Sequence, residues 1–178
     1  MTDPITPDPT THEAVPPFSA VGEPAASAVG ESAAPCAPAP LVFVTDLPDA
    51  EDVALISDAL DEFNVQETGT DDRHTLAVLV RDPETGRVVG GLTGRTSLGL
   101  LFVDLFYLPP ALRGAGMGSE ILRRAEEEGR RRGCRAGVLY TISFQAPDFY
   151  SRHGWRVFGE VPCDPPGTSR VFMTKDLA

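Results

Sequence analysis

The chain has 178 residues, of which 42% are hydrophobic and 7% aromatic, enough for one sizeable core and hardly two. A formal net charge of −11 argues against nucleic acid as a partner, because affinity for phosphates comes mostly from cations, and points instead to cationic small molecules. The longest apolar stretch, residues 98–108, is interrupted by Gly99 and Asp104 and falls short of the roughly 20 residues that span a bilayer, so no membrane span is expected.

Residues 1–40 hold nine of the 17 prolines, nine alanines, no Lys or Arg, and one aromatic, Phe18. Such a segment buries too little apolar surface to offset its ordering entropy and reads as a disordered tail: a spacer, a docking segment or extra upstream sequence. Its start lacks the basic and apolar regions of a secretory signal, so a cytoplasmic protein is expected. Cys36, Cys134 and Cys163 are odd in number and scattered, which suits reduced thiols and has no metal-ligand spacing. Without the tail's five acids the remainder, residues 41–178, is still net −6 and forms the expected folded domain.

From Leu41 the texture changes. LVFVT reads as a strand, and Pro48 with Asp49, Glu51 and Asp52 suits the start of a helix whose apolar stripe is Val53, Ile56, Leu60 and Phe63. Strands over 75–82 and 87–97 flank the turn Pro83–Gly86, predicting a hairpin, and a third strand covers 100–108. A glycine-rich turn leads to a helix over 119–132, with Met117, Ile121, Leu122 and Ala125 on its apolar side and Gly133 as its stop. Strands over 136–142, 154–161 and 169–175, with a short helix over 147–152, complete an α/β chain without internal repeats.

Three features carry chemistry. In LPPALRGAGMGS (residues 108–119), glycines at 114, 116 and 118 let backbone N–H groups approach an anion, and the following helix N-terminus adds donors and a positive dipole. Arg113 follows two stiffening prolines and can hold its guanidinium near phosphate oxygens; a merely flexible turn is the alternative reading. A P-loop is excluded because no lysine precedes Lys175, and the third glycine comes one residue early for the dinucleotide fingerprint. Asp104 lies within an apolar strand, sharing a face with Phe102 and Phe106 by period two, and needs a reason to be there: a base for an ammonium proton, or a structural pair with an arginine such as Arg95. APDFYSRHGW (residues 146–155) is a short helix turning at glycine into an aromatic strand.

Strand LFVDLFYLPP, the R-x-x-G-x-G of Arg113, Gly116 and Gly118, and the A-x-x-F-Y-x-x-x-G-[FW] of Ala146, Phe149, Tyr150, Gly154 and Trp155, in this order, resemble the GNAT superfamily of acyl-CoA N-acetyltransferases. The resemblance covers residues 41–178. It implies a mixed, mostly antiparallel sheet flanked by helices, with acetyl-CoA in a gap between two splayed strands and no metal. It also implies that Leu108, Arg113, Gly114, Ala115, Gly116, Met117, Gly118 and Ser119 hold the cofactor. Ser143 stands where many members have asparagine, so Ser143 or Gln145 takes that contact. By the same resemblance Tyr150 protonates the departing thiolate, which a phenol with a reference pKa near 10 can do; a core or rim aromatic is the competing role. Tyr140 reads as core packing, and His153 as a solvated histidine near a helix end. Cys134 reads as an inert packed thiol, and the Arg/Glu run 123–132 as a solvated face.

The expected activity is direct acetyl transfer from acetyl-CoA to a primary amine of a small cationic acceptor. The acceptor pocket is assigned to residues 60–70, with Asn64 and Glu67, and to the turn 163–167. A non-catalytic acyl-CoA-binding regulatory module and a domain for another diphosphate nucleotide are the alternatives, and edge strands of such a sheet are compatible with a homodimer.

Overall fold

The computed structural model describes residues 40–178, so the assignment of residues 1–39 to a tail lies outside the described residues. Residues 46–178 form one compact unit, and residues 40–45 belong to the other. The expected strand LVFVT is absent: residues 41–45 form neither helix nor strand, and Leu41, Val42, Phe43 and Val44 are exposed. Apolar, β-branched composition gives propensity only, which the context of the chain can override.

The unit runs α1 (Ala50–Thr68), β1 (His74–Arg81), β2 (Val88–Ser97), β3 (Leu100–Tyr107), a 3-10 turn (Pro110–Leu112), α2 (Met117–Arg131), β4 (Ala136–Ile142), α3 (Pro147–Arg152), β5 (Arg156–Cys163) and β6 (Thr168–Asp176). Its six strands form one mixed sheet in the order β1-β2-β3-β4-β6-β5. Only β3 and β4 run parallel, joined by the crossover through α2; every other pair is antiparallel. Among the described residues no helix is long and apolar enough to cross a membrane.

The core lies on one face of this sheet. Ile121, Leu122 and Ala125 on α2 meet Leu76, Leu92, Leu101, Val103, Leu139, Val171 and Met173 from the strands, as the helical and two-residue periods require. Trp155 closes over Gly137, where a Cβ would sit 2.6 Å from the indole, and its Nε1 donates to Glu126 Oε1 at 2.9 Å. The other oxygen of that buried carboxylate accepts from Lys175 Nζ at 2.6 Å, tying α2 to β6. The opposite face is open. Tyr140 stands there 53% exposed, between Phe172 and the Arg170 guanidinium, and is therefore not a core residue. The apolar stripe of α1 likewise stays outside the core, no residue of that helix being buried.

One irregularity interrupts β3. Thr93 pairs with Leu105 but Gly94 pairs with Val103, so Asp104 is an extra residue, a β-bulge. The bulge reverses the alternation: Leu101 and Val103 face the core before it, Phe106 and Leu108 after it. Phe106 thus packs edge-on against Phe149 and does not share a face with Asp104, because strict two-residue counting fails across an inserted residue.

Candidate active site

The pairing of β3 with β4 runs from Leu100↔Ala136 to Val103↔Leu139 and stops, although β3 continues to Tyr107 and β4 to Ile142. Beyond that point β3 is held by β2 and β4 by β6, so each presents one unpaired backbone edge to the other. The bulge at Asp104 begins where the strands part, in keeping with the bend and added twist that an inserted residue brings. The result is a seam of free main-chain donors and acceptors that an extended, amide-bearing ligand can fill.

At the end of β3 the chain turns through Pro109 and Pro110, and Arg113 Nε donates to Leu108 O at 2.8 Å, fixing the loop to the strand end. Gly114 (φ +85°) and Gly116 (φ +83°) are left-handed with nothing near a would-be Cβ, so glycine is required there by backbone conformation and not by crowding. Gly116 begins α2, whose N-terminus no side chain caps. The N–H groups of its first turn, from Met117 to Ser119, have no intrahelical partner and point outward with the positive end of the helix dipole. Glu120, the acid of that turn, is engaged by Arg123 and Arg124, which hold its carboxyl below the usual range. Residues 113–119 therefore offer backbone donors suited to an anion, adjoining the seam. Arg123 and Arg124 are occupied by these carboxylates, Arg123 also by Glu127.

Tyr150 on α3 is 7% exposed, its ring edge-on to Phe149 and Trp155. Burial pushes its phenol up to about 12. Among the described residues nothing hydrogen-bonds to its hydroxyl, yet that oxygen is not sealed from solvent. The group is thus a protonated donor with its proton uncommitted. Ser143 and Gln145 are already engaged: Ser143 Oγ accepts from Ser169 N at 3.1 Å, and Gln145 Oε1 accepts from Ile142 N and Thr141 Oγ1. His153 differs from its sequence reading, since both ring nitrogens are bonded, Nδ1 to Phe149 O at 2.8 Å and Nε2 to Ser119 Oγ at 2.9 Å. The contact joins residues 34 apart, and no local pattern announces it.

Asp104 is not buried. Its carboxylate lies on the open face, 45% exposed, 2.5 Å from Arg95 Nη1, and the Arg95 guanidinium also covers the Phe102 ring at 4.5 Å. A cavity of about 430 Å³ opens beside it, bordered by this pair, by the Arg73–Asp61 pair, and by Ser57 and Thr75. Asp61 lies within the stretch 60–70 expected from sequence and Ser57 one turn before it, whereas Asn64, Glu67 and residues 163–167 do not border the cavity. Cys134 is buried, and burial pushes its thiol up, as an inert thiol requires.

The family model for the acetyltransferase (GNAT) family matches residues 43–155. An acetyltransferase of Agrobacterium fabrum is 34% identical over 132 residues, covering 74% of this chain and 96% of that protein. A blasticidin-S acetyltransferase of Streptomyces morookaense is 40% identical over 95 residues, covering 53% of this chain and 70% of that protein. Among solved structures, an acetyltransferase from Bacillus cereus superposes with a TM-score of 0.61 at 29% identity, covering 75% of this chain and 97% of that one. With the split parallel strands, the glycine turn and these matches in hand, the chain belongs to the GNAT acetyltransferase family.

Proposed function

We propose that this acetyltransferase moves the acetyl group of acetyl-CoA directly to a primary amine of a small, cationic acceptor. The observation that carries this reading is the seam between β3 and β4 opening beside the uncapped, glycine-led start of α2, a backbone-lined slot that ends in an anion seat. Acetyl-CoA supplies the activated acyl thioester. Backbone N–H groups from Gly114, Ala115, Gly116, Met117, Gly118 and Ser119 hold its diphosphate, with the terminal nitrogens of Arg113 alongside and Leu108 at the mouth of the seam. The free edges of residues 104–107 and 140–141 pair with its amides, whereas the N–H and C=O of Ile142 are taken by Gln145. Ser143 keeps its own O–H available for a further contact, whereas the Gln145 carbonyl oxygen is spent on the β4 turn.

The acceptor enters from the open face. Asp61 and Asp104 at the cavity there are each paired with an arginine, so the local charge balances, and the preference for a cation rests on the overall negative charge, which draws cations toward the surface. Asp104, held by Arg95, takes the ammonium proton directly or through water, and Tyr150 returns a proton to sulfur. Domain boundaries of 41–178 and a reducing, cytoplasmic setting complete the reading, the latter supported by the free thiols of Cys134 and Cys163.

Titration calorimetry of the full chain with CoA, NADH and ATP tests the cofactor, followed by thiol release from acetyl-CoA with a panel of amines. Saturable binding of CoA alone, lost in Gly116→Trp, is expected. Binding without thiol release for any amine would instead favour a non-catalytic acyl-CoA module. For Asp104→Asn, an unchanged pH–rate profile would remove the base role and leave Asp104 as the structural partner of Arg95.

A further inference from the structure

His153 bonds to Ser119, the last residue of the anion seat, from a different helix. Its Nδ1 faces the carbonyl oxygen of Phe149, which can only accept, so Nδ1 carries a proton in every charge state. In the neutral ring Nε2 is then an acceptor, and the Ser119 hydroxyl proton must point at it. That turns the hydroxyl lone pairs toward the seat, the wrong polarity for an anion. A proton added at Nε2 inverts the pair: the imidazolium donates to Ser119 Oγ, and the hydroxyl proton is released toward the ligand.

We propose that His153 is a positioning residue for the diphosphate, acting through Ser119, and that CoA binding draws one proton from solvent onto its Nε2. The chain of donors runs from His153 to Ser119 Oγ to a phosphate oxygen, and the added positive charge stands beside the α2 N-terminus. No other charged group among the described residues bonds the ring. On α3, Asp148 and Arg152 do not bond the ring among the described residues. On α2, Glu120 is held by Arg123 and Arg124, and Lys175, near Gly154, is held by Glu126. The Phe149 ring, 4.5 Å from the imidazole centroid and in contact range of Gly118, keeps the histidine against the loop.

This inference rests on the anion seat binding the diphosphate of acetyl-CoA, and the experiment separates the two. Calorimetry of CoA with the full chain at about pH 7, in buffers of different ionisation enthalpy, reads protons taken up on binding. Wild type should show uptake, with affinity falling about fivefold or more as pH rises from about 6 to 8. His153→Gln and Ser119→Ala should each weaken CoA about three- to tenfold, lose the added uptake and flatten the pH dependence, and the double variant should be no weaker than the worse single one. His153→Gln retains a polar group near Nε2 and guards against a simple folding defect, which an unchanged Tm would verify. Uptake that persists in His153→Gln belongs to the phosphates of CoA itself and overturns the proposal, as do additive losses in the double variant. Absence of any CoA binding by wild type would remove the acetyl-CoA reading itself.

Discussion

Tyr150 combines a buried ring with a hydroxyl that no described residue claims, and the proposed proton donation to sulfur needs that combination. Removing the hydroxyl in Tyr150→Phe should lower kcat about 100-fold with little change in the KM for acetyl-CoA, as steady-state kinetics would show. A matching loss in KM would mean that the ring only packs. The same burial has a consequence for stability. A phenol raised to about 12 in the fold, against about 10 when unfolded, contributes fully below pH 10, and its contribution is lost as pH climbs toward 12, where only the unfolded chain ionises. Urea unfolding across that range should show wild type losing about 2–3 kcal/mol more than Tyr150→Phe. The sequence motif named this residue, but the absence of a hydroxyl partner is a property of its surroundings and could not be read from its neighbours in the chain.

At the scale of elements, α2 carries both the anion seat at its start and the main cross-brace along its length. Gly116→Ala puts a side chain on a left-handed residue and should cost roughly 1–2 kcal/mol by chemical denaturation while weakening CoA, since the first-turn N–H groups re-aim. Stability lost without any change in CoA affinity would detach the loop from the cofactor. Further along, Glu126→Gln leaves Lys175 without its counter-ion in a mostly buried setting and should destabilise the fold by about 3 kcal/mol. The glycine loop, the apolar stripe of α2 and the aromatic turn at Gly154 were legible because each depends on residues within about two helical turns of one another. The bulge was not. It arises from the register of β2 against β3, where Gly94 lets the Phe102 carbonyl approach a would-be Cβ to 2.1 Å, and period counting along β3 alone misplaced Phe106.

For the whole molecule, the formal charge of −11 predicts that kcat/KM for a cationic amine falls several-fold as ionic strength rises from about 20 to 500 mM. A salt-independent rate would argue that the acceptor is neutral or that its charge never meets this surface. The open face also carries the half-exposed Tyr140, so it is far less covered than the face under α2. The two sides differ because α2 and α3 pack on one face only.

The amino-acid sequence by itself determined the order of elements from α1 to β6, the glycine-led helix start and the family motifs, since local periodicity and turn chemistry act over a few residues. Tertiary structure alone decided which neighbours those elements met. It split β3 from β4 beyond Val103 and paired Asp104 with Arg95. It also set His153 against Ser119 and left the Tyr150 hydroxyl unclaimed among the described residues. Each of these depends on a contact between distant segments, or on the lack of one, and such contacts are set by packing the whole sheet against α2 and α3 rather than by any run of adjacent residues.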